Sequence, residues 1–117
     1  MFDNLTPEGM LKMPVATIAA AGSAQGDSTP ITTGGIIHVT GADATKGVQL
    51  PAIDADRVGA ILIINNHAAA VLKVYPESGG AINAASANAA ISQIASSIGI
   101  YVATAAATWK MTNVARV

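Results

Sequence analysis

An all-β domain, a sandwich or a barrel preceded by an N-terminal arm, is what this sequence predicts, and three observations predict it. Short apolar runs recur between clusters of Gly, Pro, Asn, Asp and Ser, at the 8–12-residue spacing of small all-β domains. Within several runs apolar and polar residues alternate, the two-residue period of a strand. At 117 residues the chain suits one domain, and only 11% of its residues are charged. Soluble domains usually carry about 25%. Roughly two-fifths of the hydrophobic residues are alanine, so the core must rest on Val, Ile, Leu and Met. A sparsely charged, methyl-rich surface is expected to be covered by partners, and oligomerisation follows as the expectation.

Residues 1–14 read as the arm. They hold three of the four Met residues, the only Phe, and Pro7 and Pro14, which oppose a continuous helix. The arm is either a frayed end or an apolar tether in which Phe2, Leu5, Leu11 and Met13 dock on a neighbouring subunit. It has acidic residues early and no apolar core region, so it does not read as a secretory leader.

The domain is assigned to residues 15–117. VATIAAAGS opens it as a strand, and Pro30 bars GDSTPITTGG from a central position. IIHVT sets Ile37 and Val39 against His38 and Thr40, and VQLPA places Val48 and Leu50 on one side. In AILIINN the continuous Ile61 to Ile64 run suggests a strand buried on both faces. Asn65 and Asn66 suit a hairpin, because Asn tolerates positive φ, and AVLKVY is the returning strand.

LKVYPESGGAIN then forms a corner. Pro76 ends the strand because it cannot donate a ladder hydrogen bond, and Gly79 and Gly80 allow the reversal. Ile82 returns the chain to the core. Residues 84–98 admit a short helix, with Ala87, Ile91, Ile94 and Ile98 on one face, or a strand near 89–94 followed by a turn; the second is the expectation. IGIYVAT groups Ile98, Ile100 and Val102, with Tyr101 opposite, and Trp109 shares a face with Met111.

No catalytic pattern emerges. His38 and His67 are the only histidines, no HxH or HExxH spacing occurs, and nothing in the spacing joins them to Asp54 and Asp56. Turn aspartates bonding their own backbone are the plainer reading. No serine lies in a G-x-S-x-G context, and Gly34-Gly35 lacks the lysine of a phosphate loop. Cysteine is absent. The expectation is a non-enzyme with no metal, no cofactor, no nucleic-acid partner at net charge −1, and no membrane association.

The stretch KGVQLPAIDADRVGAILIINNHAAAVLKVYPESGGAIN, residues 46–83, resembles small β-structured virion proteins of tailed bacteriophages. It carries their G-V-x-L-P-A segment, an apolar strand ending in I-N-N, an L-x-V-Y-P strand, a glycine turn with I-N, and a late strand with a Trp. The resemblance spans roughly residues 15–113. It implies a jelly-roll-like β-sandwich that decorates and cements the phage head. Its partners would be further copies of itself, as a trimer by expectation, and the major capsid protein at the virion surface. The alternative is a carbohydrate- or receptor-binding module of a fibre, which would want Trp109 and Tyr101 exposed for stacking on sugars, whereas so few aromatics are expected in the core. No catalytic residue is carried over.

Overall fold

The structure is a computed structural model and describes residues 5–115. Ten strands form two packed sheets: β1 (Val15–Ala19), β2 (Thr29–Pro30), β3 (Gly35–Thr40), β4 (Gly47–Gln49), β5 (Ile61–Asn66), β6 (Leu72–Tyr75), β7 (Ala81–Ile82), β8 (Ile91–Gln93), β9 (Ser97–Ala105) and β10 (Thr108–Ala115). The larger sheet has the order β1-β3-β5-β9-β10-β7 and the smaller β2-β4-β6-β8. The chain is all-β, with two short 3-10 turns at Gln25–Asp27 and Ala55–Arg57. No helix is long and apolar enough to cross a membrane among the described residues.

Each strand from β1 to β8 is followed in the chain by one in the other sheet, and only the β9–β10 hairpin stays within a sheet. A strand therefore returns beside its predecessor from the same side, and the pairings β1–β3, β3–β5, β2–β4 and β4–β6 are parallel. Parallel neighbours need a crossover of a dozen or more residues, and here the strand of the opposite sheet occupies that crossover. A jelly roll joins antiparallel strands through Greek keys. Over β1 to β6 those connections are replaced by a two-sheet coil, so the sandwich expectation holds in its layers and not in its jelly-roll connectivity.

Other local expectations are corrected too. Asn65 and Asn66 end β5 inside the larger sheet, while β6 belongs to the smaller, so no hairpin joins them. The Ile61 to Ile64 run is buried on one face only: Leu62 and Ile64 face the core, whereas Ile61 is 53% exposed. Residues 84–98 contain no helix; turns and irregular chain run to residue 90, followed by β8, a turn at residues 95–96 and the start of β9. Pro30 lies in β2, at the edge of the smaller sheet, where a missing N–H costs no ladder bond.

The core between the sheets takes Ile37 and Val39 from β3, Leu62 and Ile64 from β5, Tyr101 and Ala103 from β9, and Trp109 from β10. Val48 and Leu72 with Val74 meet them from the smaller sheet. Burying each such aliphatic side chain contributes about 1.5–3 kcal/mol. One end of this core is polar. Gln93 on β8 donates through Nε2 to the Ile64 carbonyl at 2.9 Å and the Ser97 carbonyl at 3.2 Å. Its Oε1 accepts from the Tyr101 hydroxyl at 2.8 Å. Asn66 donates to the Ala70 and Ile94 carbonyls at 2.9 and 3.0 Å and accepts from the Ala68 N–H at 3.2 Å. These side chains tie the two sheets and their connecting loops together. Burial raises the Tyr101 hydroxyl above the ordinary phenol range, keeping it a donor.

Between β3 and β4, Asp43 closes a turn by accepting from the Thr45 N–H and hydroxyl, at 3.0 and 2.7 Å, and from the Lys46 N–H at 3.0 Å. The Thr45 bonds foremost lower its pKa to about 2. An unfolded aspartate titrates near 3.9, so the folded carboxyl is depressed. Its stabilisation is complete above about pH 4 and is lost as pH falls toward about 2. The thermal midpoint of the parent chain is expected to exceed that of Asp43→Asn at pH 6, with the gap closing between pH 4 and 2.

Candidate functional site

The outer face of the larger sheet is the most distinctive surface. Strand register sets Val15 beside Ile36, Ile36 beside Ile63, and Ile63 beside Ile100. This aliphatic row crosses four strands. Ile61 pairs with Val102 on one side of it. Ile98, next along β9, flanks the other side. Val15, Ile61 and Ile98 are 63%, 53% and 45% exposed, and Ile36, Ile63, Ile100 and Val102 are half-buried. A shallow depression of about 240 Å³ lies on the same face, lined by Ile100, Val102, Lys110, Thr112, Asn83 and Met111.

The grouping of Ile98, Ile100 and Val102 opposite Tyr101 is observed, but Tyr101 is the side that points inward. The signal for this face lay in β5 and β9, where both alternating sets of residues are apolar. One set fills the core. The other is left on the outer face, with no layer packed over it among the described residues.

The arm adds to the apolar surface. Leu5 and Leu11 are joined by an isolated antiparallel bridge, and Thr6 N–H donates to the Met10 carbonyl at 2.8 Å. The arm is thus not extended throughout: residues 5–11 close a small loop of their own. Leu5, Met10 and Leu11 are 46%, 61% and 72% exposed, and Met13 is half-buried. Phe2 lies outside the described residues. At its root the Pro14 carbonyl accepts from the Ile36 N–H at 2.9 Å, anchoring the arm beside the start of β3.

The corner after β6 is a shape device. Pro76 is buried and follows the last residue of β6. Gly79 has φ +83°, a left-handed conformation that favours glycine. Gly80 is needed for another reason than conformation: a side chain there would meet the Ala107 carbonyl at 2.8 Å. Glu77 in the corner accepts from the Ile53 N–H at 2.5 Å, fixing the β4–β5 loop.

That loop helps enclose a cavity of about 270 Å³, walled by residues 32–34, 51–53 and 60–62 with Arg57 and Trp109. Trp109 is 1% exposed, and its indole N–H has no acceptor among the described residues. Since Tyr101 is buried as well, neither ring is open for stacking on a sugar, and both aromatics belong to the core, as the sequence reading favoured.

The fold also joins groups that spacing kept apart. His38 and His67 have ring centroids 4.9 Å apart, and Asn65 Nδ2 lies 2.8 Å from His38 Nδ1. Only tertiary pairing of β3 with β5 reveals this cluster. Asp54 lies elsewhere, accepting from the Asp56 N–H at 3.1 Å and from Arg57 at 2.6 Å, as a turn aspartate does. No three His, Cys, Asp or Glu side chains gather among the described residues.

No family model, curated protein or solved structure matches this chain.

Proposed function

We propose that this protein is a structural subunit that assembles with copies of itself and, in that form, binds the assembled head of a tailed phage and braces its capsid subunits. The observation that carries the self-assembly is the aliphatic row on the outer face of the larger sheet, continued by the exposed arm. Water contact with so many branched aliphatics is unfavourable, at about 25 cal/mol per Å² of apolar surface. A second copy removes that contact without calling on any other protein. The phage head as the setting comes from the resemblance carried by residues 46–83. A trimer is the form that resemblance suggests.

Bracing then follows from linkage. A subunit that binds only the expanded lattice stabilises it by mass action, and several weak contacts per oligomer reinforce one another through effective concentration. Sedimentation equilibrium at micromolar concentration is expected to give an oligomer, and that oligomer should pellet with empty expanded heads but not with unexpanded ones. A monomer throughout that range sinks the self-assembly. Oligomers that leave heads bare sink the capsid role alone.

A further inference from the structure

We propose that the free edge of β1 is a pairing strand for a second copy, joined antiparallel across a two-fold axis at Thr17. This rests on the self-assembly reading and adds which strand meets which. The four edge strands are β1 and β7 in the larger sheet and β2 and β8 in the smaller. Natural sheets keep an edge from pairing by shortness, proline, charge or a bulge. β2 is two residues long, and one of them is Pro30. β7 has two residues, and Asn83 and Ala84 after it turn away at φ +56° and +65°. β8 has three residues. β1 runs for five, VATIA, with no charge, proline or bulge.

The backbone shows what this edge offers. The Ile36 N–H donates to the Pro14 carbonyl at 2.9 Å, and the Ala20 N–H donates to the Thr40 carbonyl at 2.8 Å. Main-chain groups alternate sides along a strand, so Ala16 and Ile18 face β3 as Pro14 and Ala20 do. Val15, Thr17 and Ala19 turn theirs to the open edge. No strand lies beyond β1 among the described residues, and those three are exposed. The Ala19 carbonyl accepts from the Thr29 hydroxyl and keeps a second lone pair.

The side chains fit a second copy. Reversed against itself about Thr17, VATIA sets Val15 opposite Ala19, Ala16 opposite Ile18 and Thr17 opposite Thr17. Each branched aliphatic then meets an alanine, and the central Thr–Thr pair is a favourable cross-strand contact. This register uses all three outward residues, whereas a centre at Ala16 or Ile18 leaves one unpaired. Ala16 and Ile18 pack against the core, so the pairing carries the larger sheet on into the neighbour. Being isologous, the contact gives assemblies with an even number of copies, in place of the trimer that the resemblance suggests.

Thr17→Pro tests the edge directly, because a missing N–H there costs no bond to β3. It is expected to weaken association at least tenfold in sedimentation equilibrium, with circular dichroism and the urea midpoint reporting the fold. Thr17→Cys tests it without altering the backbone. Opposed residues of a hydrogen-bonded pair lie about 5.5 Å apart at Cα, within disulfide reach. In a chain with no other cysteine, it should oxidise to a linked dimer at least tenfold faster than Ser78→Cys, an exposed control at the corner after β6. Cross-linking no faster than the control, a folded Thr17→Pro that associates as the parent does, or an odd number of copies overturns the edge pair and leaves self-assembly standing. If Thr17→Pro keeps the parent's mass but no longer pellets with heads, the edge belongs to the capsid protein and the pairing of copies is overturned. A parent protein that stays monomeric overturns both.

Discussion

Replacing Gln93 by alanine is expected to destabilise the fold by about 3–5 kcal/mol, measured as a fall in the urea midpoint at unchanged slope and fixed protein concentration. Gln93 is fully buried, and its amide serves two sheets at once. Without it the Ile64 and Ser97 carbonyls lose a donor and the Tyr101 hydroxyl loses its acceptor. Each buried group left unpaired costs about 1–3 kcal/mol, and the deleted atoms leave a cavity. Tyr101→Phe removes a single bond of the set and should cost about 1–2 kcal/mol. Gly99→Ala tests the same place from the other side, because a methyl there would sit 2.5 Å from Gln93 Oε1. A loss below 1 kcal/mol in Gln93→Ala would show that the bonds do not act as a clamp between the sheets.

Ile100→Lys is expected to weaken self-association by at least 100-fold while leaving the fold intact. Ile100 stands in the aliphatic row beside Ile63, half-buried on the outer face, and its side chain points away from the core. In an assembly that covers this face, the new ammonium loses its hydration without gaining a counter-charge. A hundredfold loss corresponds to about 2.7 kcal/mol, which one centrally placed residue can carry. Sedimentation equilibrium gives the association constant, and circular dichroism with a urea titration checks the fold. Unchanged association in a well-folded variant would place the interface away from this sheet.

The two substitutions divide one strand. Along β9, Ser97, Gly99, Tyr101 and Ala103 face inward, while Ile98, Ile100 and Val102 face outward. Alternation in the sequence separates these two sets correctly. It does not say which set is inside, because the outward set is the more aliphatic and the inward set includes Ser97 and Gly99. Size decides it: Tyr101 fills the space beside Gly99 and finds an acceptor in Gln93, a residue of the other sheet. β5 repeats the case, with Leu62 and Ile64 inward and Ile61 and Ile63 outward.

Asn66 makes the same point. Its position after an apolar run read as a turn signal, yet it is needed as a buried side chain that bonds Ala70, Ile94 and Ala68. Asn and Gln carry equal hydrogen-bonding capacity in a turn and in a core, so their identity alone does not distinguish the two. The Trp109 cavity and the His38–His67 pair were similarly hidden, since each combines segments far apart in the chain.

By itself, then, the sequence determined the local elements: an all-β chain, a strand end before Pro76 and a turn at Gly79, an edge position for Pro30, an apolar N-terminal segment, and a chain poor in charge. Those properties depend on backbone stiffness, missing donors and side-chain polarity, all of which act within a few residues. Only the tertiary structure decided that strands β1 to β6 alternate between two sheets and pair in parallel within each, and that one aliphatic face stays outside. Strand partners and the inward face are chosen by packing and hydrogen bonds between residues distant in the chain, which a period of two leaves open.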